Sequence, residues 1–131
     1  MALICVSGSR LLPLAKLWVV AYFLDKFDDD EVTLIHGGCP VGEETGTPYK
    51  GADGLAQLHA ERKGWNIRVF PNTHGQRNFK RGFYLRNKQM IDEEPDVVLT
   101  FFMENHRNVG TQMTYDLAKQ KDLYVVKVNV K

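Results

Sequence analysis

Five short apolar runs, separated by segments long enough for helices, constrain this chain more than any other feature of its sequence. The runs are LICVS (3–7), VTLIH (32–36), NIRVF (66–70), DVVLTFF (96–102) and LYVVKV (123–128). Several are apolar almost throughout rather than alternating, as strands buried on both faces are. Between them the sequence predicts helices over 12–27, 51–64, 83–92 and 109–121. Pro13 is tolerated in a first helical turn, and Gly64 is a natural stop. Strands alternating with helices imply a parallel sheet, so the expected fold class is α/β: five parallel strands with helices on both faces, in one domain over 1–131. Crossovers are right-handed, so the loops after the strands open on one edge. Ligands of such folds bind there, where the direction of winding reverses.

Composition narrows the class of partner. With 131 residues, 44% hydrophobic and 25% charged, the chain suits one ordinary hydrophobic core. A formal net charge of +1 gives no global attraction toward nucleic acid or a membrane surface, so any basic site must be local. No run of ~18 apolar residues is present, and no membrane span is expected. The apolar start lacks a basic n-region and is interrupted by Arg10, Pro13 and Lys16, unlike a signal peptide. Cys5 and Cys39 form no C-x-x-C pair, which favours a reduced, cytoplasmic setting; a bridge between them stays open if their strands are neighbours.

Helix patterning adds one further expectation. Leu14, Trp18, Ala21 and Tyr22 share a face of the first helical segment, which is apolar nearly all round. Part of it is expected to cover a second surface, such as a subunit contact, and a homo-oligomer is anticipated. In the second helix Ala52, Leu55, Ala56 and His59 point inward, and in the last Val109, Met113 and Leu117 recur at i, i+4, i+8.

The polar residues gather in the loops that follow the strands. SGSR (7–10) combines Gly8, which admits close approach, with Ser9 and with Arg10, whose guanidinium suits a phosphate. The same residues make an ordinary strand-to-helix turn with Ser7 or Ser9 at the helix start. Gly110 and Thr111 open the last helix, either as an anion site of backbone N–H groups or as a plain cap. Asp53 in GAD either serves the first turn of its helix or accepts a ribose hydroxyl, the first reading being slightly ahead.

The stretch RNFKRGFYLRNK (77–88) carries Arg77, Lys80, Arg81, Arg86 and Lys88 without an acid, interleaved with Phe79, Phe83 and Tyr84. Cation beside aromatic suits a phosphate and base, or a single nucleic-acid strand. The histidines show no metal-ligand spacing, so neither metal nor cofactor is assigned. Motifs of serine hydrolases, zinc proteases, P-loops and G-x-G-x-x-G dinucleotide folds are absent. Glu43 and Glu44 are candidate proton-transfer groups, although paired loop glutamates are more often simply solvated.

Taken together, ICVSGSR, HGGCP…GADGLA, YLRNKQMID and NVGTQMTYDLA resemble, in order, the motifs of SLOG proteins. These form the superfamily of the DNA-uptake protein DprA/Smf and the Lonely guy enzymes, and the small bacterial and phage YspA-type members are the most similar. The resemblance spans nearly the whole chain. It implies a Rossmann-like three-layer fold binding a nucleotide-derived ligand at its strand-end edge. The matching positions are Gly8, Ser9, Arg10, Gly37, Gly38, Gly51, Asp53, Arg86, Asn87, Gly110 and Thr111. On that basis the glycines of 37–51 are expected to be ligand-facing backbone.

Two departures bear on activity. Lonely guy enzymes carry P-G-G-x-G-T-x-x-E with a catalytic Glu; here the double glycine is missing and Thr114 occupies the Glu position. Glu43, Glu44 or Glu104 would have to supply the carboxylate. VGEETGTPY (41–49) is an insertion in the GGCP-TGAD turn, a lid, specificity loop, oligomer contact or surface elaboration. The leading expectation is therefore a module that senses or sequesters a nucleoside phosphate, NAD or ADP-ribose type of ligand. A nucleoside-monophosphate phosphoribohydrolase or related N-glycosidase comes second, and DprA-like single-strand binding third.

Overall fold

A computed structural model describes residues 1–38, 49–71 and 79–131, with 79 and 80 described by their backbone alone. Strands β1 (Ala2–Gly8), β2 (Val32–His36), β3 (Asn66–Val69), β4 (Val97–Met103) and β5 (Val125–Val130) form one sheet in the order β3-β2-β1-β4-β5. Every pairing is parallel. Central β1 has Ile4 opposite Leu34 on one side and Val97 on the other, with Ile4, Cys5 and Val6 wholly buried. Burial on both faces is why this run does not alternate.

Helices cover the sheet on both sides, a three-layer α/β Rossmann-like architecture. α1 (Leu17–Asp25) and α2 (Gly51–Lys63) pack Val20, Leu24, Leu55 and Ala56 against Ile4, Val6, Leu34 and Phe101. On the other face α3 (Phe79–Asp92) and α4 (Val109–Gln120) bring Met90, Ile91 and Ala118 onto Cys5, Ile35 and Val98. The division follows from the winding. The chain steps from β1 to β2 to β3 in one direction, then returns to β4 beyond β1, which reverses the face its right-handed crossovers cover.

One expectation needs correction, and the sheet fixes the inward faces of two helices. Pro13 is extended (φ −79°, ψ 160°) and stands outside the helix; a single 3-10 turn, Leu14–Lys16, precedes α1. The stripe Leu14, Trp18, Tyr22 faces solvent, and the inward residues are Val20 and Leu24, with Leu17, Phe23 and Phe27 beside them. In α4, Val109 is exposed and the buried positions are Thr111, Thr114 and Ala118. Those threonines escape a hydrophobicity count, but the buried Thr114 hydroxyl is satisfied, donating to the Gly110 carbonyl (3.2 Å) and accepting from Ser7 (3.2 Å). The expected inward face of α2 holds for the buried Ala52, Leu55 and Ala56; His59 is half-buried and bonded to Asp25 Oδ1 at 2.7 Å. Among the described residues no helix is long and apolar enough to cross a membrane.

Candidate functional site

β1 and β4 are neighbours whose following helices lie on opposite faces of the sheet, so their exit loops diverge. A cleft of about 750 Å³ opens between them, at the position where α/β sheets of this order bind ligands. One wall is the turn after β1, residues 7–11; the other is the stretch 106–111 with Met113 of α4. Phe83, Arg86 and Asn87 of α3, with Ala52 and Asp53 at the start of α2, complete it.

The turn after β1 is held from two sides. Ser9 N–H donates to Phe101 O (3.1 Å), and Ser9 Oγ accepts the Leu11 N–H (3.1 Å), a side-chain turn that reverses the chain. The first two amides of α2 dock on the same loop, Gly51 N–H to Leu12 O (2.7 Å) and Ala52 N–H to Ser9 O (3.0 Å). Arg10 projects from this turn, its guanidinium carbon 4.7 Å from the centre of the Phe83 ring.

Arg86 approaches the same ring at 5.0 Å but is buried, only 8% exposed. Its Nε donates to Asn87 Oδ1 (2.8 Å) and its Nη1 to Gly37 O (2.8 Å), with Phe70 O further away at 3.5 Å. All three acceptors are neutral, and among the described residues Arg86 makes no ion pair. A buried cation is screened less than one in water, and Arg86 lines the cleft together with Asp53. Asn87, 2% exposed, donates its amide to the Met113 sulfur (3.4 Å), a weak acceptor.

The opposite wall is organised by Asn108, which sequence reasoning missed. Asn108 is left-handed (φ 50°), a conformation asparagine tolerates, and that preference is the one signal that marks it. Its Oδ1 accepts the Met103 N–H (2.9 Å), while Nδ2 donates to Met103 O (2.9 Å) and His106 O (2.8 Å). With the side chain engaged there, α4 has no side-chain cap, and Val109, Gly110 and Thr111 present its first turn to the cleft. Arg107 lines this wall too and was likewise not singled out from the sequence.

The expectation for the glycines after β2 fares differently. A Cβ on Gly37 would lie 2.2 Å from Arg86 Nη1, and one on Gly38 (φ +76°) would lie 2.5 Å from Val69 Cγ1. At Gly51 (φ +76°) it would crowd the Arg10 backbone at 3.1 Å. None of the three is among the residues lining the cleft, and each lies in close approach to protein atoms. Gly8 lines it but is also pressed by Ala52 and Phe101, whereas a Cβ on Gly110 meets nothing within 4 Å.

The acids separate as well. Asp53 lines the cleft and its Oδ2 accepts the Gly37 N–H (3.2 Å), which ties β2 to α2. Glu104 is exposed beyond the end of β4 and belongs to a separate hollow with Lys127 and Lys131. Glu43, Glu44, Cys39, Arg77 and all of the 41–49 insertion but Tyr49 fall outside the described residues, as does the Lys80 side chain. Of the basic stretch's described side chains, Arg81 and Lys88 face solvent and Arg86 faces inward, so these three do not form one patch.

Two buried groups are structural. His36 accepts the Gly38 N–H on Nδ1 (2.9 Å), so its proton sits on Nε2 and goes to Gln57 Oε1 (2.7 Å). Both ring nitrogens are occupied. The Cys5 thiol is pushed well above its ordinary range, first by burial and then by the charge of Asp53. Among the described residues no group of three or more His, Cys, Asp or Glu is placed to hold a metal ion. The chain matches no family model, no curated protein and no solved structure.

Proposed function

We propose that the cleft binds a nucleotide-derived ligand of the nucleoside phosphate, NAD or ADP-ribose type, and that the protein works as a cytoplasmic, self-associating sensor or sequestering module. The observation that carries this reading is Arg86, a buried guanidinium at the cleft whose acceptors among the described residues are neutral. Arg10 and Arg107 add two further cations to a cleft in which Asp53 is the one carboxylate among the described residues. A phosphate meets complementary charge at Arg10 and the open first turn of α4. Phe83, Leu11, Val109 and Met113 offer apolar wall for a base or ribose. The SLOG-like order of motifs supports the same ligand class.

Binding without cleavage is the favoured form. Hydrolysis of an N-glycosidic bond calls for a carboxylate within reach of the leaving base; among the described residues Glu104 lies outside the cleft and Asp53 accepts the Gly37 amide, and Glu43 and Glu44 fall outside those residues.

A thermal-shift titration with AMP, NAD and ADP-ribose tests the proposal. A ligand that binds only the folded chain raises the melting temperature with dose, by about 2.7 kcal/mol of stability at a hundredfold excess over its Kd. Arg10→Ala is expected to abolish the shift while leaving the unliganded melt nearly unchanged, because the side chain is exposed. Mass spectrometry of the same samples is expected to return the ligand intact. Free base would transfer the assignment to a glycosidase, and no shift with any of the three would remove the nucleotide reading.

A further inference from the structure

We infer that Leu11 and Val109 hold the base of the ligand by apolar contact, so that the cleft reads phosphate and ribose and accepts a nucleotide of any base. The inference rests on the nucleotide reading and names what that site selects. Leu11 belongs to the turn after β1 and Val109 to the opposite wall. They are 59% and 61% exposed, the most open apolar side chains of the cleft among the described residues. Neither joins either core cluster, so both keep their surface for something outside the fold.

The groups of the cleft that could read a base edge are spent inside the protein. Asn108 uses its oxygen on the Met103 N–H and its amide on the carbonyls of Met103 and His106. Asn87, buried, accepts from Arg86 Nε and donates to the Met113 sulfur. Ser7 donates to Thr114, Ser9 Oγ accepts the Leu11 N–H, and Asp53 accepts the Gly37 N–H. Loop carbonyls are engaged as well. Ser9 O takes the Ala52 N–H (3.0 Å) and Asn108 O the Gln112 N–H (2.9 Å).

What remains suits phosphate and ribose rather than a base. Among the described residues of the cleft, the polar side chains that make no hydrogen bond are Arg10, His106, Arg107 and Thr111. Two of these are permanent cations, and Thr111 stands in the first turn of α4, where phosphate oxygens are favoured. His106 is exposed and also lines the hollow of Glu104 and Lys127. A site built to hydrogen-bond one group rejects an analogue lacking it by about 10⁴-fold, whereas an apolar wall discriminates far less. Leu11 and Val109 are such a wall.

Isothermal titration calorimetry of the full chain with AMP, GMP, CMP, UMP and ribose 5-phosphate tests this. The four nucleotides are expected to bind within about tenfold of one another, and each roughly tenfold or more tighter than ribose 5-phosphate. Leu11→Ala combined with Val109→Ala is expected to weaken AMP by roughly tenfold and ribose 5-phosphate by less than about threefold. The unliganded melt of that variant is expected to match wild type, because both side chains are exposed. One base preferred by about 100-fold or more overturns the base-tolerant site. A double variant that binds AMP as wild type does, or a wild type that binds AMP no tighter than ribose 5-phosphate, overturns the place of the base. Each of these leaves the phosphate reading standing. Binding of none of the five compounds removes the nucleotide reading and this inference together.

Discussion

Arg86→Ala is expected to lower stability by on the order of 3 kcal/mol, and the melting temperature by roughly 10 °C, and to abolish nucleotide binding. The size follows from what the side chain holds. Its guanidinium satisfies the Gly37 carbonyl and the Asn87 amide oxygen in the buried seam between β2 and α3. Truncation leaves both acceptors buried without that donor and opens space against Gly37, whose lack of a side chain exists to admit Arg86. Arg86→Lys is expected to recover little, because a single ammonium cannot present the planar fork that reaches both acceptors. Thermal denaturation with and without ligand separates the two effects: Arg10→Ala loses binding alone, whereas Arg86→Ala loses binding and stability together. A stable Arg86→Ala chain would mean that the buried guanidinium is not a structural tie.

Gly8→Ala is expected to destabilise by a similar amount, roughly 3 kcal/mol, through overpacking. A Cβ there would sit 2.4 Å from Ala52 Cβ and 2.9 Å from both the Cβ and the carbonyl oxygen of Phe101. Those neighbours are the start of α2 and the backbone of β4, so relief requires moving a helix or a paired strand rather than turning a side chain. Gly110→Ala is the contrasting case. Nothing lies within 4 Å of the added carbon and φ is not left-handed, so alanine's better helix propensity is expected to leave stability unchanged or raise it by up to about 1 kcal/mol. Urea unfolding of the pair reads the difference directly. Equal midpoints for the two variants would contradict the packing account.

The same contrast explains how far the sequence could be read. Strand–helix alternation disclosed the parallel sheet, and burial on both faces leaves continuous apolar runs such as Ile4–Cys5–Val6 in its central strand. Side-chain spacing was a poorer guide to helix faces. Leu14, Trp18 and Tyr22 are as periodic as a core stripe, and only the position of the sheet reveals that Val20 and Leu24 point inward instead. The burial of Thr111 and Thr114 did not show in the sequence, because a buried hydroxyl such as that of Thr114 looks like a surface one until its acceptor is known. At the site, composition indicated that the loops after β1 and β4 mattered, but a glycine records close approach without saying to what. At Gly37, Gly38 and Gly51 the approaching atoms belong to Arg86, Val69 and Arg10. Asn108 carries no motif, since its role depends on meeting both the amide and the carbonyl of Met103.

The central claim is that the cleft between the β1 and β4 loops takes a nucleotide, and backbone amide shifts during titration with AMP or ADP-ribose test it most directly. The expected result is a saturable set of perturbations at Ser9, Arg10, Gly110 and Thr111, absent in Arg10→Ala. Saturable perturbations confined to the hollow of Glu104, Lys127 and Lys131, or no saturable perturbation at all, would contradict it.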